Sequence, residues 1–392
     1  MILSKTKVSN FSLADQLKSG LKTSGSSILS SQEIIELDRG IPFTGMLPLE
    51  FVFRVNVLPM EHFFTITGQR DAGKSNMLWT MFRMNALFGG INIYIGSETN
   101  ENVPKQQKVI GWDAEGNNLM DTVLYHTNVN DLDSVKSILY AASDQIALLD
   151  KKFKIPVVVG IDSLGNIRNK GTFHGLDKKK KDAIMKTSEM DAAAKARSLK
   201  SFLLEFQSNY LRGRPLTMVV INHLHEKIST TGKGGGQYSP GGNFKEYLNS
   251  NELVIRRENK DATYTRDANW VIVVKNKKQQ CGAQRNIEVR IPFISTWYEN
   301  LPDGTEVERC GYDWDEGLVM TLMEGTKTPK DQLKEFLQIT PKGQLYNCST
   351  LNLKEVTAKE LGKAIHEDID LCNKLRKMFS VSCYNSLRSP NE

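Results

Sequence analysis

Seven short apolar runs rich in Val, Ile and Phe recur along the chain: Phe51–Val57, Phe63–Thr67, Ile91–Ile95, Pro156–Ile161, Thr217–Ile221, Trp270–Val274 and Ile287–Ile291. Their length and β-branching predict buried strands. Longer stretches with helical spacing separate them, the clearest being Glu189–Leu211, where Leu199, Phe202, Leu203, Phe206 and Tyr210 fall on one stripe. Strands that alternate with helices predict an α/β fold: a mostly parallel central sheet flanked by helices.

Residues 1–40 are polar and Ser-rich, which predicts an arm ahead of a core over 41–325. Residues 326–392 are Lys-rich and helix-like, predicting a small C-terminal helical region. Two segments resist the alternation: Gly165–Ser188, with the lysine run Lys178–Lys181, and the stretch from His223 to about Asn251, with the tract GKGGGQYSPGGN. Both exceed the ~12–15 residues of an ordinary loop, a length usually associated with function or disorder. There is no internal repeat.

With 40% hydrophobic and 24% charged residues among 392, the composition excludes collagen-like, disordered and disulfide-scaffold classes. No stretch approaches the ~20 apolar residues of a membrane span, and the N-terminal sequence has no signal-peptide pattern, so no membrane partner is expected. Five widely spaced cysteines without a Cys-x-x-Cys pair predict a reducing, intracellular compartment. The net charge of +6 is too mild to indicate nucleic acid by itself.

The most specific chemistry lies in Gly68-Gln69-Arg70-Asp71-Ala72-Gly73-Lys74-Ser75, directly after FFTIT and before the helix-like NMLWTMFRMNALF. Glycines let a backbone curl so that successive amides and the helix N-terminus face phosphate oxygens. The lysine then reaches the terminal phosphates and the serine hydroxyl ligates magnesium. This is a P-loop in its required context; the alternative is a strand-to-helix turn that happens to carry Lys-Ser. Asp162 ends the run PVVVGID and is the natural second metal-side carboxylate, or otherwise a cap beside Ser163. Glu98, after INIYIGS, would act as the base that orients a water, or is an exposed loop glutamate. Asn222 and His223 end TMVVI at the same rim, where an amide could touch the γ-phosphate; turn chemistry is the alternative. His223-Leu-His225 has the look of a metal pair but lacks a third ligand of suitable spacing.

Together these landmarks resemble the RecA-type recombinase core, and within it the UvsX-like recombinases of T4-type phages. The likeness rests on the P-loop, SETN with Glu98, VVVGIDSLGN at 157–166, VVINH at 219–223, the glycine tract at 234–242 and Val273-Val274-Lys275-Asn276-Lys277. It implies a RecA-like P-loop NTPase core with ATP and Mg2+ as cofactors. Gly68 to Ser75 would hold the phosphates, Ser75 and Asp162 the metal, Glu98 the attacking water, and Asn222 would sense the γ-phosphate. Lys275 and Lys277 would reach across from the next protomer to the bound ATP, unless they are a solvated basic hairpin.

The resemblance also places DNA-binding loops at about 165–188 and 223–251. Lys178, Lys179, Lys180, Lys181, Lys186, Lys227 and Lys233 would track phosphates there, and Tyr238 would stack on bases, or these loops are simply solvated. The implied protein is a DNA-dependent ATPase that forms helical homo-oligomeric filaments on single-stranded DNA and pairs it with duplex, with single-strand-binding and loader proteins as further partners. Its implied location is the cytoplasm of a phage-infected bacterium. A ring helicase of the same core fold and a non-catalytic recombination mediator are the alternatives. Phe11 and Ala14 share a helical face that would dock on a neighbouring protomer, or form a plain amphipathic turn. Two departures stand out: the stretch 224–269 is long and carries the charged insert RRENKDATYTRD, and the acidic tail common in the family is absent.

Overall fold

The computed structural model describes residues 39–97, 102–149, 155–167, 197–223, 225–226, 237–238, 251–258, 270–279, 287–324 and 330–384. The strands up to the P-loop-like sequence are β1 (Gly40–Pro42), β2 (Val57–Pro59) and β3 (Phe63–Gly68). β4 (Ile91–Gly96), β5 (Val123–His126), β6 (Val157–Asp162) and β7 (Leu216–His223) follow. After the short strands β8 (His225–Glu226) and β9 (Gln237–Tyr238) come β10 (Asn251–Glu258), β11 (Trp270–Gln279), β12 (Glu288–Asn300) and β13 (Glu306–Tyr312).

Nine of these form one mixed sheet in the order β13-β12-β11-β10-β3-β7-β6-β4-β5. Neighbours from β5 through β10 run parallel, while β10, β11, β12 and β13 pair antiparallel. The inner parallel strands β6 and β7 are almost wholly apolar because each serves two cores. Along β7, Met218 and Val220 enter one core while Val219 and Ile221 enter the other, and β6 divides Val157, Val159 and Ile161 from Val158 in the same way. Helices Leu47–Phe53, Lys74–Leu87 and Trp314–Glu324 contribute to the first core, with Trp79 and Phe82 among its fully buried rings. The second takes Leu132, Val135 and Leu139 from helix Leu132–Leu149 and the stripe Leu199, Phe202, Leu203 and Phe206. That stripe lies on a helix over 197–206 which ends in a π-turn, Gln207–Leu211.

β3 is the pivot of the topology. The chain leaves it toward β4, two strands beyond its neighbour β7, and returns on its other side as β10. In open α/β sheets the crevice at the carboxyl ends of strands beside such a reversal is the usual ligand position.

Four sequence expectations need correction. Phe51–Val57 is not a strand. Leu47–Phe53 is a helix with Pro48 in its first turn, stopped by Arg54 at φ 61°, and only Val57–Pro59 is extended. Every residue of that helix is buried, so its apolar run carries no period that separates helix from strand. The long segment after His223 ends where β10 begins, and the charged insert starts inside β10, a strand of the sheet between β3 and β11. The region after 325 is not purely helical. Between helix Lys330–Phe336 and helices Ala358–Glu367 and Ile369–Met378 lies a three-stranded antiparallel sheet of β14 (Ile339–Lys342), β15 (Leu345–Cys348) and β16 (Leu353–Val356). Finally, β12 runs well past Ile291 and pairs with the unexpected β13.

This C-terminal region is fastened to the helix Leu47–Phe53. Phe379 stacks on Phe51 with ring centroids 3.9 Å apart. Arg376 forms a two-pronged bond to the buried carboxylate of Glu50, and Asn56 exchanges hydrogen bonds with the backbone of Tyr384. Thr357 and Glu360 form a capping box that starts the helix Ala358–Glu367.

Candidate functional site

The loop between β3 and helix Lys74–Leu87 is shaped by two glycines. A side chain at Gly68 would put its Cβ 2.3 Å from the carbonyl oxygen of Ile255 on β10, so only glycine lets the two strands approach there. Gly73 has φ 92°, a left-handed conformation that favours glycine, and its ideal Cβ would press on Tyr312 and Trp270. Asp71 is also left-handed, at φ 58°. Gln69, Arg70 and Asp71 are exposed while Ala72 is buried. The Arg70–Asp71 ion pair at 3.9 Å is solvated and adds little.

Lys74 opens the helix as a buried residue, and its Nζ folds back to donate to the carbonyl oxygen of Gln69 at 2.5 Å. The amino group is thereby held over the loop. Gly73 at the N-cap offers no side chain to the first helical amides, so the positive end of the helix stays available to an anion.

Across the sheet, Ser75 Oγ donates to Asp162 Oδ2 at 2.7 Å. Asp162 ends β6 and is 6% exposed, and β7 stands between its strand and β3. The next residue is locked in place by Ser97. Ser97 Oγ accepts from Ser163 N–H at 2.9 Å and donates to the Ser163 carbonyl at 2.8 Å. Ser163 Oγ is buried with no hydrogen-bond partner among the described residues. Asn222 lies on β7 opposite Thr67 of β3, fully buried, its Oδ1 accepting from His223 N–H at 3.0 Å. Lys74, Ser75, Asp162, Ser163 and Asn222 thus lie at or just after the carboxyl ends of the neighbouring strands β3, β6 and β7.

Lys275 is placed elsewhere in the chain. It sits on β11 opposite Glu288, to which it is ion-paired at 3.5 Å. Glu288 also approaches Arg256, and Glu258 pairs with both Arg256 and Arg290, so Lys275 belongs to a charged patch on the antiparallel half of the sheet. Lys277 follows on β11. Tyr238 belongs to β9, whose residues pair with His225 and Glu226 of β8. Glu98 lies outside the described residues, and so do Phe11, Ala14, Lys178, Lys179, Lys180, Lys181, Lys186, Lys227 and Lys233.

Three contributors have no role assigned from the sequence. Ser97 and Ser163 lie inside SETN and VVVGIDSLGN, motifs whose expected roles fall on Glu98 and Asp162. Tyr312, at the end of β13, donates its hydroxyl to the carbonyl oxygen of Gly73 at 2.9 Å. Burial pushes the Tyr312 phenol far above its ordinary value, so that hydroxyl keeps its proton.

Among the described residues no group of three or more His, Cys, Asp or Glu side chains is placed to hold a metal ion. A hard cation beside Ser75 and Asp162 would find two oxygen donors there and would draw its remaining ligands from water or from a bound phosphate, which is how Mg2+ is usually held. Among the described residues no helix is long and apolar enough to cross a membrane. No family model matches the chain, and no curated protein matches it.

Proposed function

We propose that the chain is an ATP-dependent DNA recombinase with a RecA-like core, the loop Gly68–Ser75 being its P-loop. The observation that carries this reading is the Ser75–Asp162 hydrogen bond. It joins the second residue of the helix after a tight glycine loop to a carboxylate on a different strand, two positions away in the sheet. A strand-to-helix turn with an accidental Lys-Ser has no reason to meet such a carboxylate. The strand order, the αL Gly73, the inward Lys74 and the orphaned Ser163 hydroxyl support the same reading.

In this reading the loop amides and Lys74 neutralise the β- and γ-phosphates of ATP. Ser75 and Asp162 would hold Mg2+, which would supply charge neutralisation at the phosphates. Glu98 orients the water that attacks the γ-phosphorus. The bond to the β–γ bridging oxygen breaks, and ADP and inorganic phosphate leave. Asn222 would register the γ-phosphate and pass its presence to the segment after His223. Lys275 and Lys277 would serve the ATP of a neighbouring protomer, with Lys275 exchanging Glu288 for a phosphate oxygen. Turnover would then alternate a tight and a loose grip on DNA held by the basic loops, along a filament on single-stranded DNA.

Negative-stain electron microscopy on long single-stranded DNA with a slowly hydrolysed ATP analogue tests the proposal. Continuous helical filaments are expected from the parent and none from Lys74→Ala, whose nucleotide binding or turnover is abolished. Closed rings would replace the recombinase with a ring helicase. Isolated particles without DNA-stimulated ATPase activity would replace it with a mediator.

A further inference from the structure

We propose that Tyr312 is a positioning residue for phosphate binding: its hydroxyl, by holding the Gly73 carbonyl, aims the first amide of the helix at the anion. This inference rests on the phosphate-site reading above and adds a part that lies far from the loop in sequence. The Gly73 carbonyl oxygen accepts twice, from Tyr312 Oη at 2.9 Å and from Met77 N–H at 3.1 Å. The Met77 bond is the ordinary first bond of the helix; the Tyr312 bond is an added tether from the opposite half of the sheet.

The carbonyl of residue 73 and the N–H of residue 74 belong to one planar peptide unit and point in opposite directions. Fixing one therefore fixes the other. Amides at the start of a helix project out of its N-terminal end, where an anion is favoured. Gly73 needs such a tether because glycine at φ 92° has the widest conformational choice in the loop.

The tether itself is rigid. Tyr312 is buried, edge-to-face with Phe293 at 5.3 Å and with Trp314 at 5.5 Å, while Trp270 stacks on Phe293 at 4.3 Å. Trp270 and Tyr312 together flank Gly73, so strands β11 and β13 grip the loop from one side. The hydroxyl supplies the hydrogen bond in this contact, and burial pushes its phenol upward, so it stays a donor.

Tyr312→Phe removes the hydroxyl and leaves the ring, so the fold is retained. Titration calorimetry with ATP and with inorganic tripolyphosphate, beside thermal melting, tests the assignment, with Lys74→Ala as control. We expect Tyr312→Phe to weaken both ligands by about tenfold and equally, the size of one lost hydrogen bond, with a melting temperature close to the parent's. Equal weakening matters because the loop contacts phosphates only; a general loosening of the fold would lower the melting temperature as well. Parent-like affinity in Tyr312→Phe, with binding lost in Lys74→Ala, would overturn the role of Tyr312 and leave the phosphate site standing. Failure of the parent to bind either ligand would overturn both.

Discussion

Replacing Arg376 by methionine leaves a carboxylate buried without its partner. Arg376 Nε and Nη2 donate to the two oxygens of Glu50 at 2.7 and 2.9 Å, and the Glu50 side chain is 3% exposed. Breaking a buried ion pair by removing one partner costs about 3–5 kcal/mol. The Arg376 side chain is 25% exposed, so water reaches part of the vacated space and the lower end of that range, about 3 kcal/mol, is expected. The double variant Glu50→Met, Arg376→Met removes both charges and keeps apolar bulk next to the Phe51–Phe379 stack, so it should return to within about 1 kcal/mol of the parent. Urea unfolding followed by tryptophan fluorescence and far-UV circular dichroism measures both differences from the midpoint shift.

The pH dependence supplies a sharper check. Burial pushes the Glu50 carboxyl upward, opposed by its bonds to Arg376 and, more weakly, by His366. Without Arg376 the main opposing pull is gone and the folded-state value rises further. A carboxyl whose folded value lies above its unfolded value binds its proton more tightly when folded; its contribution to stability is complete below the unfolded value and is lost as pH rises through the folded one. The deficit of Arg376→Met should therefore be largest near pH ~8 and shrink steadily toward pH ~5. A single variant within about 1 kcal/mol of the parent, or a deficit that does not change with pH, would refute the view of Glu50 as a charge kept in place by Arg376.

Two further outcomes follow from the candidate site. Asp162→Asn removes the charge that Ser75 reaches while keeping the shape, so the Mg2+ concentration for half-maximal ATP turnover should rise about 10- to 100-fold while ATP binding in the presence of chelator is retained; an unchanged Mg2+ requirement would remove Asp162 from the metal side. Changing Lys178, Lys179, Lys180 and Lys181 to alanine should reduce the slope of log affinity for single-stranded DNA against log salt by about 3, with DNA-free ATP binding intact, and a slope equal to the parent's would free that run from any role in DNA contact.

What could be read from the sequence was what is written locally. The runs at β3, β4, β6 and β7 are mostly apolar because each strand feeds two cores, and the α/β class follows from them. The Gly68–Ser75 loop was legible because glycine spacing, the flanking strand and the helix all sit within a few residues of one another. Failures arose wherever the deciding contact is remote. The run from Phe51 is helical because helix Leu47–Phe53 is packed on every side, partly by C-terminal groups such as Phe379. β10 has a short apolar centre, Leu253–Ile255, between charged residues, and becomes a strand through pairing with β3 on one side and β11 on the other. Each strand of the small C-terminal sheet has only four residues and is largely half-buried or exposed, too little for a period to show.

The same distinction runs through the site. Lys74 and Ser75 announce themselves by type and spacing, yet what makes their loop a defined object is supplied from elsewhere: Asp162 from β6, Ile255 from β10, and Tyr312 from β13, 239 residues beyond Gly73. The parallel half of the sheet carries the groups that would meet phosphate and metal, whereas the antiparallel half carries the aromatic grip on Gly73 and the Lys275–Glu288 pair. Strand β11 joins these last two, with Trp270 against the loop at one end and Lys275 five residues on. A shift of β11 that freed Lys275 from Glu288 would also displace Trp270, which lies against Gly73.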